Sequence, residues 1–222
     1  MIGRHKGFTL VELLISIALL SLVMVTGTFA YFQFASRWDK ELGDFQQQAQ
    51  TAKSIVQLEQ VLKGIIPYVI RDEQGKPTFL FIGSDSRLMA VTNNGLNTAG
   101  PEVFRLAVQQ HAGQSRLVYQ SASLENIVLT STEQSIDFTN KKILLDDFRY
   151  LEFNYFGWEN LTLKAKRVPG TSAQWFSDYK AKEREISPEY ITLKIDDITI
   201  SATLDNEPSA WKGHFIKTGG IF

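Results

Sequence analysis

Cysteine is absent from this 222-residue chain. That excludes disulfides, Cys-ligated zinc, iron–sulfur clusters and a thiol nucleophile, although an oxidising compartment stays open to a chain with enough core. Histidine is scarce: His5, His111 and His214 are the three present, and none has a companion at metal-ligand spacing. An excess of one charge is also missing. Lys and Arg number 23 against 24 Asp and Glu, a formal net charge of −1, which argues against gripping phosphate backbones by field alone. Six prolines and fifteen glycines exclude collagen-like or low-complexity sequence. No G-x-S-x-G, H-E-x-x-H, P-loop or dinucleotide glycine pattern occurs. What remains, at 44% hydrophobic, is enough for one core plus something extra.

The extra element stands first. Residues 1–7, Met-Ile-Gly-Arg-His-Lys-Gly, are short and basic, and the run from Phe8 to Phe34 then carries one charge, Glu12. A bilayer core about 30 Å thick needs roughly 20 apolar helical residues, so this run can span it. A secretory signal has an apolar region of about 7–15 residues ending in small residues, and this run is longer and lacks such an end. An uncleaved single-pass anchor passes the same hydropathy test. Arg4 and Lys6 precede the span, so the positive-inside rule places the N-terminus in the cytoplasm.

Glu12 separates the readings. A carboxylate inside a membrane segment costs about 2.5–3.5 kcal/mol on insertion scales, which makes it functional by default. The plain alternative is that Glu12, near the helix end, reaches the headgroups and does nothing more. Gly7-Phe8-Thr9-Leu10-Val11-Glu12-Leu13 resembles the signature of type IV prepilins and of the pseudopilins of type II secretion. The resemblance implies that a membrane prepilin peptidase cuts between Gly7 and Phe8 and methylates the new amine of Phe8. Glu12 then lies one helical turn from that amine, whose charge adds to the positive end of the helix dipole. An axially offset neighbour could bring its own terminal amine to Glu12, so that two separately costly charges neutralise each other and set the register of assembly.

Beyond the span, Ser36 to Gly64 holds no proline, and Trp38, Leu42, Phe45, Ala49, Ala52, Ile55, Leu58 and Leu62 recur at three- and four-residue steps. This stripe predicts a continuing helix with a core-facing side, stopped by Gly64 and Pro67. From Phe8 to Gly64 such a helix would extend on the order of 85 Å. The pattern then changes to short apolar runs between turn residues: Thr78–Gly83, Leu88–Thr92, Val103–Gln110, Ser115–Ser121, Phe148–Tyr155, Tyr190–Ile195 and Ile198–Leu204. His111 to Gln114 and the pair Asp196-Asp197 read as hairpin turns. The prediction is an α+β chain of pilin-like form, a long N-terminal helix on an antiparallel β-sheet domain. Its parts are a leader (1–7), a membrane helix (8–35), an amphipathic stalk (36–66), a β domain (67–205) and a tail (206–222) with Trp211 and Phe215.

The charge run Lys180 to Glu185 reads as a solvated surface or a short helix. Asp146-Asp147 and Asp196-Asp197 suit turns and surface loops better than calcium, which takes six to eight oxygens; no metal or other cofactor is expected. The aromatic residues Tyr150, Phe153, Tyr155, Phe156, Trp158, Trp175, Phe176 and Tyr179 serve as core or as protein interface. Stacking on single-stranded DNA does not suit a chain with this charge balance, so no nucleic-acid partner is expected.

A second resemblance covers much of the remainder. Ile66 to Glu73, Phe81-Ile82-Gly83, Leu144 to Tyr155, Trp158, Trp175 and Ile186 to Leu193 are similar to the J-type minor pseudopilin of type II secretion; the stalk end and residues 164–187 depart from that pattern. It implies a non-enzymatic, low-copy subunit that joins other minor and major pseudopilins at a filament tip. It would be anchored in the inner membrane with its domain in the periplasm, extracted into a periplasmic filament, and in contact with the secretin or secreted cargo. A minor pilin of a type IV pilus, for assembly or adhesion, and a tethered periplasmic enzyme or sensor are the alternatives.

Overall fold

The computed structural model describes residues 9–166 and 169–204, and of residues 39–44 it describes the backbone. By internal contacts the chain divides into two units, Met1–Gln50 and Thr51–Phe222. Helix α1 (Leu10–Lys63) runs through the division.

In the first unit α1 opens with a run rich in Leu, Ile, Val and Ala. Its apolar side chains stand open, from Leu10 through Met24 to Phe34. Several of its hydroxyls are satisfied within the helix. Ser16 Oγ donates to the Glu12 carbonyl at 2.8 Å, Thr26 Oγ1 to Leu22 at 2.9 Å and Thr28 Oγ1 to Met24 at 2.8 Å. Such i−4 bonds suit surroundings that offer no water to polar groups. The segment Leu10–Trp38 is long and apolar enough to cross a membrane.

The second unit begins with the last turns of α1, where Ser54, Leu58, Val61 and Leu62 are buried. The predicted stripe is therefore core-facing only in part. Trp38 and Phe45 are exposed, and burial starts at Ser54. Periodicity shows that a face is apolar but not how far along it a sheet lies. The residue after the helix has to be glycine, because a Cβ on Gly64 would meet Asn94 Cβ and Thr92 Oγ1 at 2.6 Å. Thr92 Oγ1 donates to the Val61 carbonyl at 2.9 Å and the Asn93 N–H to the Gly64 carbonyl at 2.9 Å, which satisfies two carbonyls of the helix end.

Among the described residues thirteen strands follow: β1 (Ile65–Ile66), β2 (Val69–Arg71), β3 (Pro77–Phe79), β4 (Phe81–Gly83), β5 (Arg87–Thr92), β6 (Glu102–His111), β7 (Gln114–Ser123), β8 (Asn140–Phe148), β9 (Leu151–Gly157), β10 (Gln174–Phe176), β11 (Tyr179–Lys180), β12 (Tyr190–Ile195) and β13 (Ile198–Thr203). Short helices α2 (Leu161–Lys166) and α3 (Ala181–Arg184) lie between β9 and β12. A seven-stranded sheet has the order β11-β4-β5-β6-β7-β8, with β1 also on β5; a four-stranded sheet has the order β10-β9-β12-β13; β2 and β3 form a small third sheet. Every strand pair in these sheets is antiparallel. The fold is α+β.

Alternation decides which residues each face buries. On β5 and β6, Leu88, Ala90, Phe104 and Leu106 join the α1 residues and the inner face of the four-stranded sheet in one core. Val91 and Val103 point the other way, into a second core with Ile70, Leu80, Ala122 and Leu129. Both faces of the large sheet are thus covered.

Two predicted strands are each broken in two. Thr78–Gly83 divides at Leu80, whose N–H donates to the Tyr68 carbonyl at 2.9 Å while the chain passes from the small sheet to the large one. Phe148–Tyr155 divides at Arg149-Tyr150: Phe148 pairs with Ser115 in the large sheet and Leu151 with Ile195 in the other. Asp196 holds that corner, accepting the Tyr150 N–H on Oδ1 at 2.8 Å and donating its own N–H to the Tyr150 carbonyl at 3.0 Å. The two predicted hairpins form. The turn between β6 and β7 is Ala112-Gly113, at φ 51° and 83°, with His111 and Gln114 already paired. Ile195 pairs with Ile198 around Asp196-Asp197, Asp196 standing at φ 46°.

Leu58→Ala should lower the stability of the second unit by about 2–5 kcal/mol, as for other large-to-small core changes. Phe45→Ala should leave it within about 0.5 kcal/mol, as for surface changes. Thermal unfolding followed by near-ultraviolet circular dichroism measures both.

Candidate functional site

The start of α1 has the geometry of a capped helix. Thr9 precedes the first helical residue, and its Oγ1 accepts the Glu12 N–H at 3.3 Å while its carbonyl accepts the Leu13 N–H at 3.2 Å. Thr9 is therefore the N-cap, and Glu12 is the third helical residue. A Thr followed three residues later by Glu is the capping-box pattern, and an acid in the first turn is favoured by the helix dipole. That local fit explains why a helix begins at this place. It does not provide a counter-ion: among the described residues no basic side chain lies within ion-pair distance of Glu12. Gly7 and Phe8, the expected cut, and the leader charges Arg4 and Lys6 lie outside the described residues, as do His5, His214, Trp211 and Phe215.

A family model described as the prokaryotic N-terminal methylation motif matches residues 2–28. The N-terminus is of the prepilin type. The match covers the basic leader, the Gly7-Phe8 junction, the Thr9–Glu12 cap and most of the apolar run. A prepilin-type motif implies processing by a prepilin peptidase and assembly with other pilin-type subunits, and the apolar helix behind it fits membrane anchoring. No curated protein matches the chain.

In the second unit the residues singled out for chemistry serve mainly to hold the fold. Asp146 Oδ1 accepts the Asp147 N–H at 3.1 Å and lies 3.5 Å from Arg116 Nε. Asp196 braces the corner at Tyr150. His111 ends β6 on the surface. Among the described residues no three His, Cys, Asp or Glu side chains are grouped to hold a metal ion. The aromatic residues divide between two roles. Phe153, Tyr155 and Tyr179 are fully buried, with Tyr155 Oη donating to the Ser84 carbonyl at 2.8 Å and Tyr179 Oη to the Trp158 carbonyl at 2.9 Å. Tyr150, Trp175 and Tyr190 are exposed, and the Phe156 ring sits 5.2 Å from that of Trp175 and 5.8 Å from that of Tyr190. Within the charge run, α3 buries Ala181 and sets the Arg184 guanidinium 3.9 Å from the Phe176 ring and 4.7 Å from that of Tyr179.

Sequence reasoning missed a buried acid. Glu102 is completely enclosed, where it accepts the Leu96 N–H on Oε1 at 2.9 Å, the Thr98 hydroxyl on Oε2 at 3.4 Å and the Tyr119 hydroxyl. These partners are all donors, as an acceptor-only carboxylate requires. Glu102 thereby ties loop 93–101 to the sheet, and Gly95 lies so close that a Cβ would come within 2.1 Å of its Cδ. Its place at the head of an apolar strand, directly after Pro101, was the one available clue.

Burial raises the phenol pKa values of Tyr119, Tyr155 and Tyr179 above the ordinary value of about 10, and for Tyr119 the bond to Glu102 adds to the rise. A raised folded-state pKa means stability that is present below pH ~10 and is lost as the pH climbs above it. Ultraviolet titration should show these three phenols silent until the protein unfolds in alkali. Tyr155→Phe should leave two such silent phenols.

Proposed function

We propose that this chain is a membrane-anchored, peptidase-processed structural subunit of a pilin-type filament, and more finely a J-type minor pseudopilin of type II secretion. The observation that carries the reading is the prepilin-type motif over residues 2–28 with Glu12 in the first turn of an exposed apolar helix. In this reading the peptidase cuts between Gly7 and Phe8 and the Phe8 amine is methylated. The N-terminus starts in the cytoplasm and the β-rich unit stands in the periplasm. Glu12 meets the terminal amine of a neighbouring subunit in hydrocarbon, which removes two unpaired charges at once.

The J-type assignment is supported by the similarity across residues 66–73, 81–83, 144–155 and 186–193, together with the α+β form. In this reading the role is structural and not enzymatic, and the second unit's enclosed acid, Glu102, holds a loop while its buried phenols Tyr155 and Tyr179 brace strands.

Glu12→Leu tests the reading. The variant should reach the membrane fraction as the native chain does, and should lose co-purification with other pilin-type subunits by at least about tenfold, the equivalent of 1.4 kcal/mol. Undiminished co-purification of Glu12→Leu would refute the assembly role.

A further inference from the structure

The two sheets differ in how their edges are finished. Strand β8 closes one side of the large sheet and is poorly suited to accept another strand. It carries Lys141, Lys142, Asp146 and Asp147, its pairing with β7 slips between Ser115 and Val118, and Asp147 turns to φ 68°. Charges and bulges of this kind keep an edge from recruiting a neighbour. The edge strands β10 and β11 have three and two residues.

Among the described residues strand β13 has none of these protections, and none of them pairs with its outer side. Ile198-Thr199-Ile200-Ser201-Ala202-Thr203 contains no charge, proline or glycine, and it pairs with β12 in unbroken register from Ile198 to Thr203. Its hydrogen-bonding polarity follows from the hairpin. The pair that closes a two-residue turn, Ile195 and Ile198, exchanges both of its backbone bonds. Alternate residues Ile198, Ile200 and Ala202 therefore direct their N–H and C=O groups at β12, and the Leu204 N–H, in the same phase, donates to the Glu189 carbonyl at 2.9 Å. Thr199, Ser201 and Thr203 direct theirs outward. Side chains follow the same phase: Ile200, Ala202 and Leu204 are buried, while Thr199, Ser201 and Thr203 are exposed.

We propose that β13 is a homotypic pairing edge, on which the β13 strand of a second copy of this chain adds in antiparallel orientation across a two-fold axis at Ser201. Self-complementarity identifies the occupant. With Ser201 opposite Ser201, Thr199 faces Thr203 and Ile200 faces Ala202. Every outward-directed residue then meets an outward-directed residue, so backbone bonds form along the whole strand, and apolar side chains stay on the core side of both sheets. The uncharged strand brings no like charges together. The half-exposed Ile198 would lie beside the partner's Leu204, which covers an apolar side chain that the single chain leaves open. The result is an eight-stranded sheet with an isologous interface. None of this depends on whether residues 1–7 are removed.

The absence of cysteine from the native chain makes the test direct. Full-length, detergent-solubilised Ser201→Cys should form a disulfide-linked dimer under mild oxidation, because paired antiparallel residues stand about 5.5 Å apart at Cα, within reach of a disulfide. Thr162→Cys, exposed on α2, should stay monomeric on the same gel. Ser201→Pro should remain folded, since the N–H it removes points away from β12, and should sediment as a monomer where the native chain sediments as a dimer. Failure of Ser201→Cys to cross-link, or a native chain that sediments as a monomer, overturns the proposal. So does a dimer that survives Ser201→Pro.

Discussion

A carboxylate among apolar side chains is the constraint on which the functional reading of this chain depends. Glu12 stands in the first turn of α1, ahead of a segment apolar and long enough to cross a membrane. The helix meets part of the demand locally, through the Thr9 cap and the positive end of its dipole. Its hydroxyls at Ser16, Thr26 and Thr28 need nothing from outside. The charge of Glu12 is the one polar feature near the start of this segment that local bonding leaves unmatched among the described residues. Insertion scales put such a group at about 2.5–3.5 kcal/mol, enough to make a subunit that supplies a cation a strongly preferred neighbour. The proposed function amounts to identifying that cation as the amine freed at Phe8.

The second unit solves a different problem, that of covering a large antiparallel sheet on both faces. The last turns of α1 and the four-stranded sheet cover one face, and the segments around Leu80 and Leu129 cover the other. The helix end is tied to β5 by Thr92 and Asn93, and the following loop is tied to the same sheet through Glu102. Buried polar groups at these joints have their partners, which is why they stabilise instead of costing desolvation energy.

Much of this was legible in the residues. The basic leader, the Gly7-Phe8-Thr9-Leu10-Val11-Glu12 run and the apolar stretch behind it were legible as a prepilin-type motif, which the family model matches over residues 2–28. Asp196-Asp197 fixed a hairpin because a two-residue turn needs left-handed geometry that aspartate tolerates. The failures share a cause. Thr78–Gly83 and Phe148–Tyr155 alternate without interruption, yet in each the chain leaves one sheet for another, and strand alternation carries no mark of which sheet receives a residue. The stalk stripe was read too far toward the N-terminus because an apolar face looks the same whether a sheet or a partner covers it. Glu102 was overlooked because its donors, Leu96, Thr98 and Tyr119, converge only through the fold.

The account's central claim concerns the N-terminus that the mature chain presents. Mass spectrometry of the terminal peptide, taken from protein extracted from its native membrane, reads that directly. The expected mature chain begins at Phe8 and carries one added methyl group. A mature chain that still begins at Met1, with Arg4 and Lys6 in place, would contradict it.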